Sequence, residues 1–133
     1  MKRRTIAAGA AALVTGTAAV LVAAPAMADG PEREASGRVA GSWFEMSAEK
    51  ERGFELDADL DNVPRGSTWR LVVKHDGERI ATRTADAVRD DGRWEADFRD
   101  VHAPDSAGAD TFTLTITRTD GPGKVTRTLA FAR

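Results

Sequence analysis

The chain predicts an all-β protein: a seven-stranded antiparallel β-sandwich that follows a cleaved signal peptide. Three observations carry this. Apolar and polar residues alternate with a period of two, the mark of a strand with one buried face. Turn-forming residues recur about every 8–12 positions, as in a sandwich of short strands. Downstream of the N-terminal apolar stretch, only residues 47–52 could turn helically, and for about one turn.

The N-terminus reads as an address. Lys2, Arg3 and Arg4 form a positive region, residues 6–24 are apolar, and Ala26-Met27-Ala28 is a small-residue cleavage pattern. Residues 1–28 are therefore expected to be a secretory signal peptide. An uncleaved anchor is the weaker alternative, because the apolar stretch is Ala-rich and the cleavage pattern is present. Arg3-Arg4 lacks the flanking residues of twin-arginine export, so ordinary secretion is expected, with no membrane segment afterwards.

Removing those 28 residues leaves 105 of the 133, with 16 basic and 21 acidic residues and a net charge of −5. That balance argues against nucleic-acid binding, which needs basic surface for phosphates. The chain has no cysteine, which excludes disulfides, thiol catalysis and thiolate metal sites. A core alone must hold the domain, which is feasible at this size.

Residues 29–37 are polar, contain Gly30-Pro31, and are expected to be a flexible leader. The sandwich is then assigned to 38–133. Its first strand is expected at 38–46, with apolar residues on both faces. Residues 53–60 alternate: Phe54, Leu56, Ala58 and Leu60 point in, while Glu55, Asp57 and Asp59 point out. Residues 62–67 contain Pro64 and Gly66 and form a loop. Trp69, Leu71 and Val73 give the inward face of the next strand. Asp76-Gly77 turns it back, and Ile80, Thr82 and Thr84 are read as the inward set of the return.

Residues 85–92 are a linker ending in Asp91-Gly92. Trp94, Ala96 and Phe98 define a strand at 93–99, and residues 101–110 are a loop. Phe112, Leu114 and Ile116 alternate with threonines over 111–118. Asp120-Gly121-Pro122-Gly123 is a second strong turn. The last strand, 124–132, has Arg127 in phase with Val125, Leu129 and Phe131, which a bulge or an edge position would reconcile. The expected core is Phe54, Leu56, Trp69, Leu71, Val73, Trp94, Phe98, Phe112, Leu114 and Ile116.

Residues 69–77, then Asp90-Asp91-Gly92-Arg93-Trp94, then residues 107–116, resemble the bacterial extracellular immunoglobulin-like (fibronectin-III-like) domains. The likeness spans most of 38–132 and lies in turns and core positions. It implies an immunoglobulin-like β-sandwich and says little about function. Antibody-type features are missing: there is no cysteine pair, and Phe112 stands where a corner tyrosine is common. A signal peptide followed by one small sandwich is similar in layout to small secreted proteins of high-GC Gram-positive bacteria.

Several constellations were candidates for chemistry. His75, in a hairpin turn, and His102, in a loop, are expected to be surface residues rather than parts of a Ser-His-Asp site. Asp57, Asp59 and Asp61 superficially match a calcium loop. Asn62 stands where Gly is needed and Thr68 where Glu is needed, so a solvent-facing strand explains them better. The alternating threonines 111–119, with Thr126 and Thr128, could meet an ordered surface, but threonine is also an ordinary strand residue. Trp43 and Phe44 are adjacent and cannot share one core face, so one of them is a candidate contact residue.

The expected function is therefore a secreted, monomeric, non-enzymatic module that binds an extracellular protein or cell-wall polymer, with no cofactor and no metal. Its binding residues are expected to be Trp43, Phe44, Arg70 and Lys74. The alternative is a small enzyme inhibitor or effector acting through loop 62–67 or 103–110. A charge layout is also expected. Glu55, Asp57, Asp59, Glu95 and Asp97 should face out from one sheet, and Arg70, Lys74, Arg79 and Arg83 from the other.

Overall fold

A computed structural model of the chain describes residues 32–132. The expected signal peptide and residues 29–31 lie outside the described residues. Those described form nine strands in two antiparallel sheets, with no helix. The first sheet has the order β1-β2-β3-β7-β6: β1 is Glu32–Val39, β2 Ser42–Glu51, β3 Gly53–Asp61, β6 Val88–Asp90 and β7 Arg93–Ala103. The second has the order β5-β4-β8-β9: β4 is Thr68–His75, β5 Glu78–Asp86, β8 Asp110–Arg118 and β9 Lys124–Phe131. One apolar cluster draws on both sheets, an arrangement compatible with a β-sandwich.

Two strands exceed the expected seven, and each has a local cause. Residues 32–37, expected as a flexible leader, pair with β2 in β1. The break between β1 and β2 is Ala40-Gly41, both at positive φ (51° and 84°), a two-residue hairpin turn of the type that matches strand twist. Alanine rarely adopts that conformation, so the sequence hides the turn. The hairpin also resolves the two-faced pattern of 38–46. Val39 on β1 and Phe44 and Met46 on β2 all enter the core. The other extra strand, β6, lies in the expected linker and pairs with β7 across Asp91-Gly92.

The Asp76-Gly77 turn forms as expected, with φ of 53° and 90°. The phase of β5 does not. Val73 pairs with Ala81 and Lys74 with Arg79, so Ile80 is an extra residue in a bulge. This moves Ala81, Arg83 and Ala85 to the inner side, opposite Val73, Leu71 and Trp69, and sends Thr82 and Thr84 outward. A second bulge sits in β7 opposite Asp57, where Asp100 has φ 61°. Beyond it Val101 and Ala103 are buried in β7, where the sequence suggested a loop.

The expected core residues are buried, with Trp94 only partly so. Trp69 is fully buried and its indole Nε1 donates to Ser67 Oγ at 2.9 Å. Arg127 is explained by an edge position: β9 ends its sheet, no register shift interrupts β8–β9 pairing, and the guanidinium covers the Phe44 ring at 5.2 Å. Burial there lowers its pKa. Arg33 covers the Phe131 ring at 4.7 Å in the same way, and the other two edge strands carry an exposed arginine at an inward register position. Arg33 of β1 pairs with Ala48, Arg89 of β6 with Trp94, Arg83 of β5 with Leu71, and Arg127 of β9 with Leu114. Each arginine is thus on the inward side of its edge strand. Inward charges on edges oppose pairing with another chain.

Candidate binding faces

Cross-strand partners share a face, so register defines what each sheet presents. The outer face of the second sheet contains three complete rungs in the order β5-β4-β8-β9. They are Thr84, Arg70, Thr117 and Lys124; then Thr82, Val72, Thr115 and Thr126; then Arg79, Lys74, Thr113 and Thr128. These twelve positions hold seven threonines, four cations, one valine and no carboxylate. Among the described residues, Arg70, Lys74, Arg79 and Lys124 make no ion pair. All four are exposed. Lys74 and Arg79 are direct cross-strand neighbours, a like-charge pairing that costs stability. Thr115 and Thr126 hydroxyls hydrogen-bond at 2.9 Å. Carboxylates return only at the ends, where Asp86 and Asp120 accept from Thr68, and Asp76 accepts from the Thr111 amide.

The outer face of the first sheet is the opposite. Its rungs run Arg38, Trp43, Asp61 and Glu95; then Ser36, Glu45, Asp59 and Asp97; then Glu34, Ser47 and Asp57 beside the Arg99-Asp100 bulge; then Glu32, Glu49, Glu55 and His102. In these four rungs eleven carboxylates stand among two arginines and one histidine, and β6 extends the face with Val88 beside Glu95 and Asp90 beside Arg93. The expected layout of one acidic and one basic face is therefore present, with one correction. Arg83 is on the inner side of β5 because of the Ile80 bulge, and Lys124 joins the basic face instead.

Crowding shows in the acids. Asp59 has its pKa raised to about 7, first by burial, with Asp97 adding repulsion and Arg99 opposing the shift. Arg99 lies 3.4 Å from Asp59 and 3.5 Å from Asp97. Glu55 is raised first by its hydrogen bond with Asp100 and then by burial. The Asp100 amide donates to Asp57 at 2.9 Å.

The two aromatic candidates separate. Phe44 is completely buried and cannot contact a ligand. Trp43 is on the acidic outer face, half-buried, with the Arg38 guanidinium 4.6 Å from its ring centroid. Arg70 and Lys74 are exposed on the basic face.

His75 is not a surface residue. It continues the inward phase of Trp69, Leu71 and Val73, stacks on Phe112 at 4.5 Å, and its Nε2 is 2.7 Å from Asp110 Oδ1. Ser106 Oγ also donates to Asp110, at 2.7 Å. The serine and the histidine both meet the carboxylate, so the carboxylate sits between them and no base addresses the serine. These bonds hold the Asp110 pKa below its ordinary value against its burial. The parity of β4 was the signal for His75. The partnership with Asp110 spans 35 residues and had none.

Two groups bring three potential metal-ligand atoms within 4.8 Å: His75 with Asp76 and Asp110, and Glu55 with Asp100 and His102. In each, one hydrogen bond joins two of the members, His75 with Asp110 and Glu55 with Asp100, and Asp76 accepts from the Thr111 amide. Asp57, Asp59 and Asp61 instead spread along β3 opposite Ser47, Glu45 and Trp43. Loop 62–67 is tied down, since the Val63 amide donates to Trp94 O at 3.0 Å and Ser67 is buried.

Comparison of the chain with protein-family models, with curated proteins and with solved structures gives no match.

Proposed function

We propose that the protein is a secreted, non-enzymatic binding module whose threonine-lined basic face docks on an anionic extracellular polymer of the cell-wall type. The observation that carries this is the set of four cations on one face with no ion pair among the described residues. A chain with net charge −5 after its expected cleavage has ample carboxylates to pair them, yet none stands in the three rungs that carry these cations. Unpaired cations on a rigid sheet attract a polyanion at range, and the threonine hydroxyls between them can bond its oxygens. We also read the two sheets as an immunoglobulin-like sandwich, which supports the module reading. The orders β2-β3-β7-β6 and β5-β4-β8-β9 correspond to strands A-B-E-D and C′-C-F-G of that fold, with β1 added outside.

The test is co-sedimentation of the full chain with insoluble cell wall, before and after its anionic polymer is removed. Retention that needs the anionic polymer, weakens with salt and is lost in Arg70→Glu with Lys74→Glu is expected. Equal retention by the stripped wall, or by the double variant, rules the reading out.

A further inference from the structure

We infer that the molecule binds a second copy of itself head to tail, the basic threonine face of one copy on the acidic face of the next. The partner follows from complementarity within the chain. One outer face presents four cations without ion pairs and no carboxylate across its three rungs. The other presents eleven carboxylates against two arginines and a histidine. Each face repels its own kind, so a face-to-face dimer of like faces is disfavoured, and only the unlike pairing brings opposite charge together.

The two faces belong to different sheets of one sandwich and point in opposite directions. The contact is therefore heterologous: it leaves one free face of each sign and can repeat. Edge-to-edge growth is opposed by the inward arginines, so the sheet faces are the surfaces left for contact between copies.

Size sets the strength. An eight-residue strand such as β4 is ~26 Å long, and four strands span ~19 Å, so a face offers roughly 500 Å² and a pair buries about 1,000 Å². That is the lower bound for a specific interface, so the contact is weak: a monomer at low concentration and a stack where copies are crowded. This inference does not depend on the polymer reading, although both use the basic face. A polyanion competes with stacking for that face, while a bound molecule still offers its acidic face to the next copy.

The experiment is sedimentation of the full chain over a concentration series, with three preparations. The first is the unaltered chain, whose apparent association should weaken at least ~10-fold between about 0.02 M and 0.5 M salt. The second, Arg70→Glu with Lys74→Glu, leaves two cations against two carboxylates on its once-basic face and keeps the acidic face intact. The third, Glu49→Lys with Glu55→Lys and Asp61→Lys, cuts the acidic face to eight carboxylates against five basic side chains and a histidine and keeps the basic face intact. Each variant alone should associate far more weakly than the unaltered chain, and an equimolar mixture, which offers one intact face of each sign, should associate again. Milder replacements, Glu49→Gln with Glu55→Gln and Asp61→Asn, keep the test open should the lysine variant melt early; they should weaken association without abolishing it.

Association that is indifferent to salt, that is undiminished in either variant, or that is not restored on mixing would overturn the inference. The two proposals separate in the third preparation. It keeps the basic face, so it should still sediment with anionic wall as the unaltered chain does while stacking far more weakly.

Discussion

The outer faces of the two sheets use the same backbone geometry and spend it differently. On the first sheet, one carboxylate gives up part of its charge: burial pushes Asp59 to about 7, Asp97 adds repulsion, and its only ion-pair partner shown, Arg99, is shared with Asp97. On the second sheet, four exposed cations stand among threonines, two of them (Lys74 and Arg79) paired directly across strands, and none makes an ion pair among the described residues. Both faces keep the protein in solution. Only the basic one does so without settling its charges internally. Charge left unsettled on a rigid face is available to a partner, whereas charge crowded onto a face is partly consumed by its neighbours.

The largest effect should come from beneath both faces. Trp69 is fully buried in the core they share, and Trp69→Ala should cost ~3–5 kcal/mol. Thermal melting checks this, and a cost below about 1 kcal/mol would mean that the faces are not supported by a common core.

Next in size is a pH effect confined to the acidic face. Asp59 has a folded pKa above its unfolded value, so its ionisation opposes folding. Stability contributed by its protonated form is present below about 4 and is lost as pH rises toward about 7. Asp59→Asn should flatten the fall in melting temperature between about pH 4 and about 7 and raise it at the upper end. Asp110 works with the opposite sign. Its lowered pKa favours the folded state above its ordinary value, and that contribution disappears on acidification below it. An unchanged pH profile in Asp59→Asn would show that Asp59 is not held out of water in the fold.

On the basic face, by contrast, charge should matter little to folding. Arg70→Glu with Lys74→Glu should shift stability by no more than about 1 kcal/mol in denaturant titrations, because both side chains are exposed and Lys74 already faces Arg79. A collapse of the fold would mean that these cations are structural. The smallest effect expected is that of a chelator. Melting curves with and without it should coincide, since Asp110, Asp76 and Glu55 already have hydrogen-bond partners within the fold. A clear drop would turn one of them into a metal site.

Much of this was legible in the sequence. Alternation in 53–60, 69–74 and 111–118 located three central strands and their inner faces, and Asp76-Gly77 located a hairpin. Three features were hidden, each for a physical reason. Ala40-Gly41 turns the chain with a residue that seldom takes positive φ, so two strands looked like one. The Ile80 bulge adds one residue to β5, and one residue inverts every later side chain, which is why Arg83 was placed on the wrong side. Asp110 reaches His75 through tertiary folding, which no local pattern encodes. The basic face was half legible. Arg70 and Lys74 follow from the phase of β4, but Lys124 joins Arg70 only because β8 lies between their strands.

The four inward arginines put stability and solubility in competition. A leucine in place of Arg127 would bury more apolar surface against Phe44 and raise the melting temperature. It would also leave β9 a clean, sticky border. Selection for a tougher fold at these positions would therefore produce a protein that lasts longer alone and precipitates sooner in company. The sandwich keeps its borders by staying somewhat less stable than its core would allow.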